Sequence, residues 1–143
     1  MSIFEASASP WNRRMLSVFR IVTGLLFVSS GTMKLFNYPP SGMPGFPVPL
    51  VSEIGAAGIL EAIGGLAIVL GLLTRPVAFL LAGEMAVAYF QAHFPKSFFP
   101  TSNGGVPAVL YCFSFLYLMF AGAGPWSLDA WIARSKSPPA IRP

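Results

Sequence analysis

Charged residues are scarce in this sequence. Only 10% of its 143 residues are Asp, Glu, Lys or Arg, against about 25% in a typical soluble domain. Hydrophobic residues make up 55% of the chain, and its mean hydropathy is +0.67. These values exclude an ordinary soluble protein and predict an integral membrane protein in contact with the lipid bilayer. The length suits one domain over residues 1–143.

Cysteine and histidine occur once each, as Cys112 and His93. One thiol can form neither an internal disulfide nor a C-x-x-C redox pair, and one imidazole cannot supply both axial ligands of a haem. No Cys/His/Asp cluster has the spacing of a metal site, so none is predicted. We expect no covalently bound cofactor, and electron transfer would require a partner protein.

Signatures of nucleotide and nucleic-acid binding are also missing. The sequence contains neither G-x-x-x-x-G-K-[ST] nor a G-x-G-x-x-G that follows a strand. The net charge of +4 comes from basic residues that form no dense patch. They flank apolar segments instead, which is typical of membrane topology signals, so no nucleic-acid partner is predicted.

Four apolar segments predict membrane spans at about residues 15–36, 51–73, 76–92 and 107–123. About 20 apolar residues, each rising about 1.5 Å, cover a hydrocarbon core of roughly 30 Å. Loops rich in proline and glycine separate the first span from the second and the third from the fourth. The chain is therefore expected to form an all-α, antiparallel four-helix bundle. Residues 1–12 and 125–143 are expected to be tails, the second carrying Trp126 and Trp131 at the membrane interface.

The distribution of basic residues predicts the orientation in a bacterial-type inner membrane. Two basic residues, Lys34 and Lys96, lie on the side of the two long loops. Seven lie on the side of both termini: Arg13, Arg14, Arg20, Arg75, Arg134, Lys136 and Arg142. By the positive-inside rule, both termini of this multi-pass protein are cytoplasmic.

Several charged residues fall inside or at the ends of the predicted spans. Lipid does not solvate charge, so these side chains should face the interior of the bundle. From the helical rise, Arg20 and Glu84 lie at similar depth and are predicted to form a structural ion pair. Lys34 and Glu53 are both placed near the outer surface, where they could pair. Glu61, near the middle of the second span, is left without a partner at its own depth.

Glu61 has a structural and a functional interpretation. In the first, the intramembrane charges only hold the helices in register. In the second, Glu61 and Lys34 bind a ligand or take part in a proton step. A lipid-soluble quinone would need a donor for its carbonyl, which His93 or Tyr111 could supply, while Glu53 could pass protons. Against this, Tyr and His at a membrane boundary commonly sit at the headgroup level.

Four sequence pieces resemble the DoxX family of small four-span membrane proteins. The resemblance covers about residues 19–129. The first span has the family's Arg, Gly and Gly-x-x-Lys pattern, and the second has Glu-x-x-Gly-Gly followed by Gly-Leu-x-Thr-Arg. An Asn-Gly-Gly loop and a Gly-x-Gly-x-x-Ser-Leu-Asp ending follow. The matching positions are Arg20, Gly24, Gly31, Lys34, Glu61, Gly64, Gly65, Gly71, Leu72, Thr74, Arg75, 103–105 and 122–129. Where the family often has a glutamate after Gly-Gly, this chain has Val106.

The resemblance implies a membrane protein of redox metabolism. Some relatives are membrane subunits of a thiosulfate:quinone oxidoreductase, and others are linked to oxidative-stress complexes. The leading hypothesis is a quinone-linked redox subunit or a membrane anchor for redox partner proteins. The alternatives are a transporter of small solutes or protons and a non-catalytic scaffold. The faces of small residues could also serve a homo-oligomer.

Overall fold

A computed structural model describes residues 10–136, and in that range all regular structure is helical, with no strand. Six α-helices follow one another along the chain. They are α1 (Pro10–Phe36), α2 (Glu53–Leu70), α3 (Thr74–Ala88), α4 (Pro100–Asn103), α5 (Val106–Ala121) and α6 (Leu128–Ser135).

Both predicted tails contain helical residues. The first helix begins at Pro10, so residues 10–12 are helical and not part of a tail. Proline is well placed there, since the first helical turn has no partner for its N–H groups. The C-terminal tail contains α6, and Ser127 caps it by accepting a hydrogen bond from the Ala130 N–H at 3.1 Å. Residues 1–9 and 137–143, including Arg142 of the charge count, lie outside the described residues.

Local sequence signals set both ends of α2. Ser52 is its N-cap, and the Ser52 hydroxyl accepts a hydrogen bond from the Gly55 N–H at 2.9 Å. Glu53 places a negative charge at the positive end of the helix dipole. Gly71 ends the helix in the left-handed conformation at φ 67°, which glycine adopts without a steric penalty. Leu72 and Leu73 then connect directly to α3.

The third helix does not end cleanly at Ala88. It continues as one π-helical turn, Tyr89–His93, and one 3₁₀ turn, Phe94–Lys96. Pro95 lies in this last turn and cannot donate a backbone hydrogen bond. Together these turns lengthen the apolar rod to 23 residues, Thr74–Lys96.

Three helical rods in the described range are long and apolar enough to cross a membrane: Pro10–Phe36, Glu53–Leu70 and Thr74–Lys96. A fourth apolar helix, α5, has 16 residues. The helices pack in a ring in which α1 contacts α2, α2 contacts α3, α3 contacts α5, and α5 contacts α1. Their outer faces expose large apolar side chains to the surroundings, among them Ile63, Phe79 and Phe113. Such a surface suits lipid and not water.

The contact between α1 and α2 is made through glycine. A Cβ added to Gly31 would lie 2.5 Å from the Ala62 backbone nitrogen, and one added to Gly24 would lie 2.9 Å from the Gly65 carbonyl oxygen. Without side chains at these positions the two backbones approach closely, as membrane helices with small interfacial residues do. Gly24 and Gly31 therefore serve the packing of α1 on α2 within one chain.

The antiparallel packing gives the molecule two ends. The termini end contains the start of α1, the turn at 71–73 and the segment 122–136. The loop end contains the segments 37–52 and 94–105. Hydrogen bonds join the parts of the termini end. Asp129 accepts one from the turn before α3, and Arg20 donates to the 122–126 segment. The segments that contain most of the basic residues used to predict the orientation thus lie at the same end of the molecule.

Candidate intramembrane site

Lys34 and Glu61 form a buried ion pair between α1 and α2. The Lys34 ammonium donates to Glu61 Oε1, and this is the single ion pair among residues 10–136. Glu61 is 1% exposed and Lys34 is 21% exposed. Side chains on a helix lean toward its N-terminus. Because α1 and α2 run in opposite directions, Lys34 leans toward the molecule's middle and Glu61 leans toward the loop end, and the two meet.

The predicted pairing of Lys34 with Glu53 is therefore wrong. Lys34 lies beside Gly58, where an added Cβ would be 3.1 Å from the Lys34 Cβ. From that level the lysine side chain extends away from the first turn of α2. Glu53 is exposed at that first turn, at the loop end, and takes no part in the Lys34–Glu61 pair.

Glu84 of α3 lies near this pair. Gly64 faces Leu81, since a Cβ added at residue 64 would lie 2.8 Å from Leu81 Cδ2. The two helices are antiparallel, so a step of three residues forward from Leu81 on α3 matches a step of three residues back from Gly64 on α2. This places Glu84 at the level of Glu61. Glu84 accordingly lies within electrostatic range of both Glu61 and Lys34. The three side chains form what we call the charge cluster: Lys34, Glu61 and Glu84.

Three carboxylate oxygens of the charge cluster are buried and have no hydrogen-bond partner among residues 10–136. They are Glu61 Oε2, Glu84 Oε1 and Glu84 Oε2. Two carboxylates face one ammonium, so the fully ionised cluster would have an excess of one negative charge. An unpaired buried polar group is costly, and a charged one more so. The cluster would therefore be completed by a proton or by a donor group of a bound molecule.

The predicted ion pair between Arg20 and Glu84 is not formed. Arg20 is fully buried at the termini end, and its guanidinium donates to four backbone carbonyl oxygens. These belong to Ile68, Val69, Ala123 and Trp126, with the Ala123 oxygen 2.7 Å from Arg20 Nε. Arg20 lies beside Gly71, about ten residues or roughly 15 Å along α2 from the level of Glu61 and Glu84.

The carbonyl partners of Arg20 follow from helix chemistry. The last turn of α2 leaves carbonyl oxygens without intrahelical donors, and the helix dipole is negative at that end. Arg20 satisfies two of these oxygens and two more from the segment after α5. These bonds join α1 to α2 and to the 122–126 segment, and not to α3. Apolar patterning alone could not indicate backbone partners.

Tyr111 packs in the aromatic core between α1 and α5. Its ring packs on Phe27 and Phe115 with centroid distances of 5.1 Å and 6.0 Å. Tyr111 is also within electrostatic range of Glu61. The structure therefore brings together two of the residues proposed from the sequence for ligand binding, Lys34 and Glu61, and adds Glu84, while the contacts of Tyr111 are with Phe27 and Phe115.

His93 is held at the loop end, apart from the charge cluster. Its Nδ1 lies 3.1 Å from the Asn103 carbonyl oxygen, and its ring stacks on Tyr89. Nine residues separate it from Glu84, which is more than two helical turns. His93 and Glu53 are therefore not part of the same site as Glu61.

Two of the short motifs have structural explanations. Asn103 accepts a hydrogen bond from the Gly105 N–H at 2.7 Å and donates one to the Ser97 carbonyl oxygen at 2.8 Å, which folds the Asn-Gly-Gly loop. Asp129 accepts hydrogen bonds from the N–H groups of Leu73 and Thr74 at 2.8 and 2.9 Å. It thereby caps α3 from another part of the chain. The sequence could not indicate this role, because Asp129 lies 55 residues after the start of α3.

No group of three metal-ligating side chains occurs among residues 10–136. The site consists of one ammonium and two carboxylates in an apolar setting. It can donate to a carbonyl through Lys34, accept from hydroxyls through Glu61 and Glu84, and exchange protons.

The sequence is similar to known membrane proteins. The DoxX family model matches residues 15–94, which include most of α1 and all of α2 and α3. An uncharacterized protein of Haemophilus influenzae is 43% identical over 122 residues, covering 80% of this chain and 87% of the relative. Inner membrane protein YqjF of Escherichia coli is 33% identical over 119 residues, covering 78% and 87%. An uncharacterized membrane protein of Mycobacterium tuberculosis is 25% identical over 156 residues, covering 94% and 95%. No solved structure is significantly similar.

Proposed function

The chain belongs to the DoxX family of multi-pass inner-membrane proteins, and from this we propose that it is a quinone-binding membrane subunit for a separate redox protein. The arrangement we propose is a four-helix bundle of α1, α2, α3 and α5, with both termini in the cytoplasm. The observation that carries the proposal is the charge cluster, in which three carboxylate oxygens beside one ammonium have no partner within residues 10–136.

The chemistry of the charge cluster suits a quinone and its reduced form. A quinone carbonyl needs a donor, which the Lys34 ammonium provides. A quinol offers two hydroxyl donors, which the free oxygens of Glu61 and Glu84 can accept. Reduction of a quinone takes up two protons with two electrons, and carboxylates at the site can transfer those protons. The electrons would come from the redox centre of a partner protein, for which this subunit acts as the membrane anchor.

The position of Glu84 favours a substrate dissolved in the bilayer. Leu80 and Val87 are 58% and 52% exposed. They lie four residues before and three residues after Glu84, so they are its neighbours on the helix surface. Glu84 thus lies at the border between the lipid-facing side of α3 and the interior. A lipid-soluble molecule could reach its carboxyl group without passing through water.

Arg20 argues against the alternative of a proton or cation transporter. A path from the charge cluster to the termini end would pass close to its fully buried guanidinium. A fixed positive charge in a narrow path opposes the passage of protons and cations. Proton flux through proteoliposomes above that of empty vesicles would favour the transporter in place of the quinone-binding subunit.

Quinone binding tests the proposal directly. The purified protein in lipid nanodiscs would be titrated separately with the oxidised and the reduced form of a short-chain benzoquinone or naphthoquinone, and the affinity for each form measured by isothermal titration calorimetry. Glu84→Gln is the informative variant because it breaks no hydrogen bond among the described residues. A charge-assisted hydrogen bond is worth about 1.5–3 kcal/mol, so Glu84→Gln should bind the quinol form about tenfold more weakly or worse.

Glu53→Gln is the matched control. It makes the same chemical change at an exposed carboxylate outside the charge cluster, and its affinity should stay within about twofold of wild type. Quinol binding that is equally strong in wild type and Glu84→Gln, or absent from wild type, would contradict the proposal.

A further inference from the structure

A surface cavity of about 480 Å³ lies at the termini end, away from the charge cluster. It is formed by the start of α1, the start of α3 and the segment around residues 121–130. Its charged side chains are Arg13, Arg75 and Asp129, and its remaining walls are small or apolar. We propose that this cavity binds a phosphate group, supplied by the headgroup of an anionic phospholipid. The proposal does not depend on quinone binding.

The charges of the cavity favour an anion. Both oxygens of Asp129 already accept backbone hydrogen bonds, from Leu73 and Thr74. Within residues 10–136, neither Arg13 nor Arg75 forms an ion pair with a carboxylate. Two guanidinium groups are therefore available beside one carboxylate that is already engaged. Guanidinium groups bind phosphate oxygens in a bidentate manner, which makes arginine well suited to this ligand.

The backbone leaves space beside Arg75. Gly122 has φ +85° and no side chain, and a Cβ there would lie 3.4 Å from Arg75 Nη2. Any larger residue would stand against the guanidinium and narrow the cavity. Arg75 and Pro76 also belong to the first turn of α3, a helix of 15 residues whose dipole is positive at this end. The space beside Arg75 and the positive end of the α3 dipole thus favour an anion, as the two arginine charges do.

The tryptophans indicate that the cavity lies at headgroup level. All three tryptophans of the chain, Trp11, Trp126 and Trp131, lie at the termini end. They are 67%, 55% and 62% exposed. Exposed tryptophans concentrate at the membrane–water interface, where lipid phosphates are also found. Lipid phosphates are present in both leaflets, so the argument holds for either orientation of the protein.

Lipid binding by the purified full-length protein tests the proposal. Delipidated protein in detergent would be titrated separately with phosphatidylglycerol, phosphatidylcholine and inorganic phosphate. Native mass spectrometry would count bound molecules, and thermal unfolding would measure their effect on stability. Wild type is expected to bind one phosphatidylglycerol at least fivefold more tightly than phosphatidylcholine, whose choline cation offsets the phosphate charge.

Three variants separate the cavity from general surface charge. Arg75→Gln and Arg13→Gln should each weaken phosphatidylglycerol binding about tenfold, as loss of one charge-assisted contact does. Arg13 is exposed and makes no ion pair with any described residue, so Arg13→Gln should fold normally. Arg134→Gln is the control, because Arg134 lies on α6 outside the cavity.

The possible outcomes distinguish a lipid phosphate from free phosphate and include one that overturns the proposed site. Selective phosphatidylglycerol binding that only the two cavity variants weaken supports a lipid headgroup. Inorganic phosphate that stabilises wild type and displaces the lipid supports the same site filled from solution. Equal weakening by Arg134→Gln, or no difference between the two lipids in any variant, overturns the proposal.

Discussion

Replacing Gly31 with alanine tests how closely α1 and α2 must pack. The added Cβ would lie 2.5 Å from the Ala62 nitrogen, 2.7 Å from the Gly58 carbonyl oxygen and 2.9 Å from the Ala62 Cα. All three obstacles are backbone atoms of α2. No side-chain rotation can relieve the overlap, so the two helices would have to move apart.

The expected cost follows from that displacement. Ordinary van der Waals contact begins near 3.4 Å, so the closest contact of the new Cβ is about 0.9 Å too short. A gap of about 0.5–1 Å forfeits a quarter to a half of the dispersion attraction of the atoms involved. Overpacked sites typically lose about 1–3 kcal/mol, and backbone obstacles place Gly31→Ala toward the upper part of that range.

Gly83→Ala is the matched control on α3. A Cβ added there meets nothing within 4 Å among the described residues, so the same methyl group is introduced without a clash. Alanine is favoured over glycine within a helix by about 0.5–1 kcal/mol, and Gly83→Ala should therefore be neutral or stabilising. Thermal unfolding of both variants in one detergent, followed by tryptophan fluorescence, compares them with wild type.

Gly31→Ala should lower the unfolding midpoint, whereas Gly83→Ala should leave it unchanged or raise it. An unchanged midpoint in Gly31→Ala would mean that α1 and α2 are not in close contact at this level. A loss of stability in Gly83→Ala as large as that in Gly31→Ala would mean that the cost is general to glycine replacement. Either result would refute the packing argument.

Two further predictions concern the buried charges. Lys34→Met should destabilise the protein by about 1–3 kcal/mol because it leaves Glu61 without a donor, whereas the double variant Lys34→Met/Glu61→Gln should recover part of that loss. Lys96→Met is the control in the same unfolding assay, because Lys96 is exposed and forms no ion pair in the described part of the chain. A double variant less stable than either single variant would contradict the pairing of Lys34 with Glu61. Arg20→Gln should cost about 3 kcal/mol or more, since four carbonyl bonds depend on Arg20, and should expose the 122–127 segment to limited proteolysis. Wild-type protease resistance in Arg20→Gln would count against that role.

The sequence indicated correctly that Arg20 faces inward, whereas Glu53, for which the same was expected, is exposed. Arg20, Gly24, Phe27 and Gly31 share one side of α1 and are all buried. That prediction succeeds because the helical period is fixed and lipid excludes charge, so a local pattern determines which side of a helix faces protein. The same reasoning placed Glu61 in the interior, where it is almost completely buried.

The partners of those charges were predicted incorrectly for a definite physical reason. Depth was counted from the ends of apolar segments, but α1 begins at Pro10, before its apolar segment, and Arg20 lies opposite the end of α2. Side chains also lean along the helix, which brings Lys34 to Glu61 and not to Glu53. Backbone carbonyls, the partners of Arg20, are invisible in a list of charged residues.

By itself, the sequence determined that the chain is a multi-pass membrane protein built of apolar helices and that Arg20 and Glu61 face inward. These properties follow from composition, helical period and bilayer thickness, all of which act locally along the chain. Only the tertiary structure decided which charges meet, that Glu84 joins Lys34 and Glu61, and that Arg13 and Arg75 line one cavity. Those contacts depend on how far each helix is shifted along its axis relative to its neighbours. Close glycine contacts between the backbones determine this register, and no single segment encodes it.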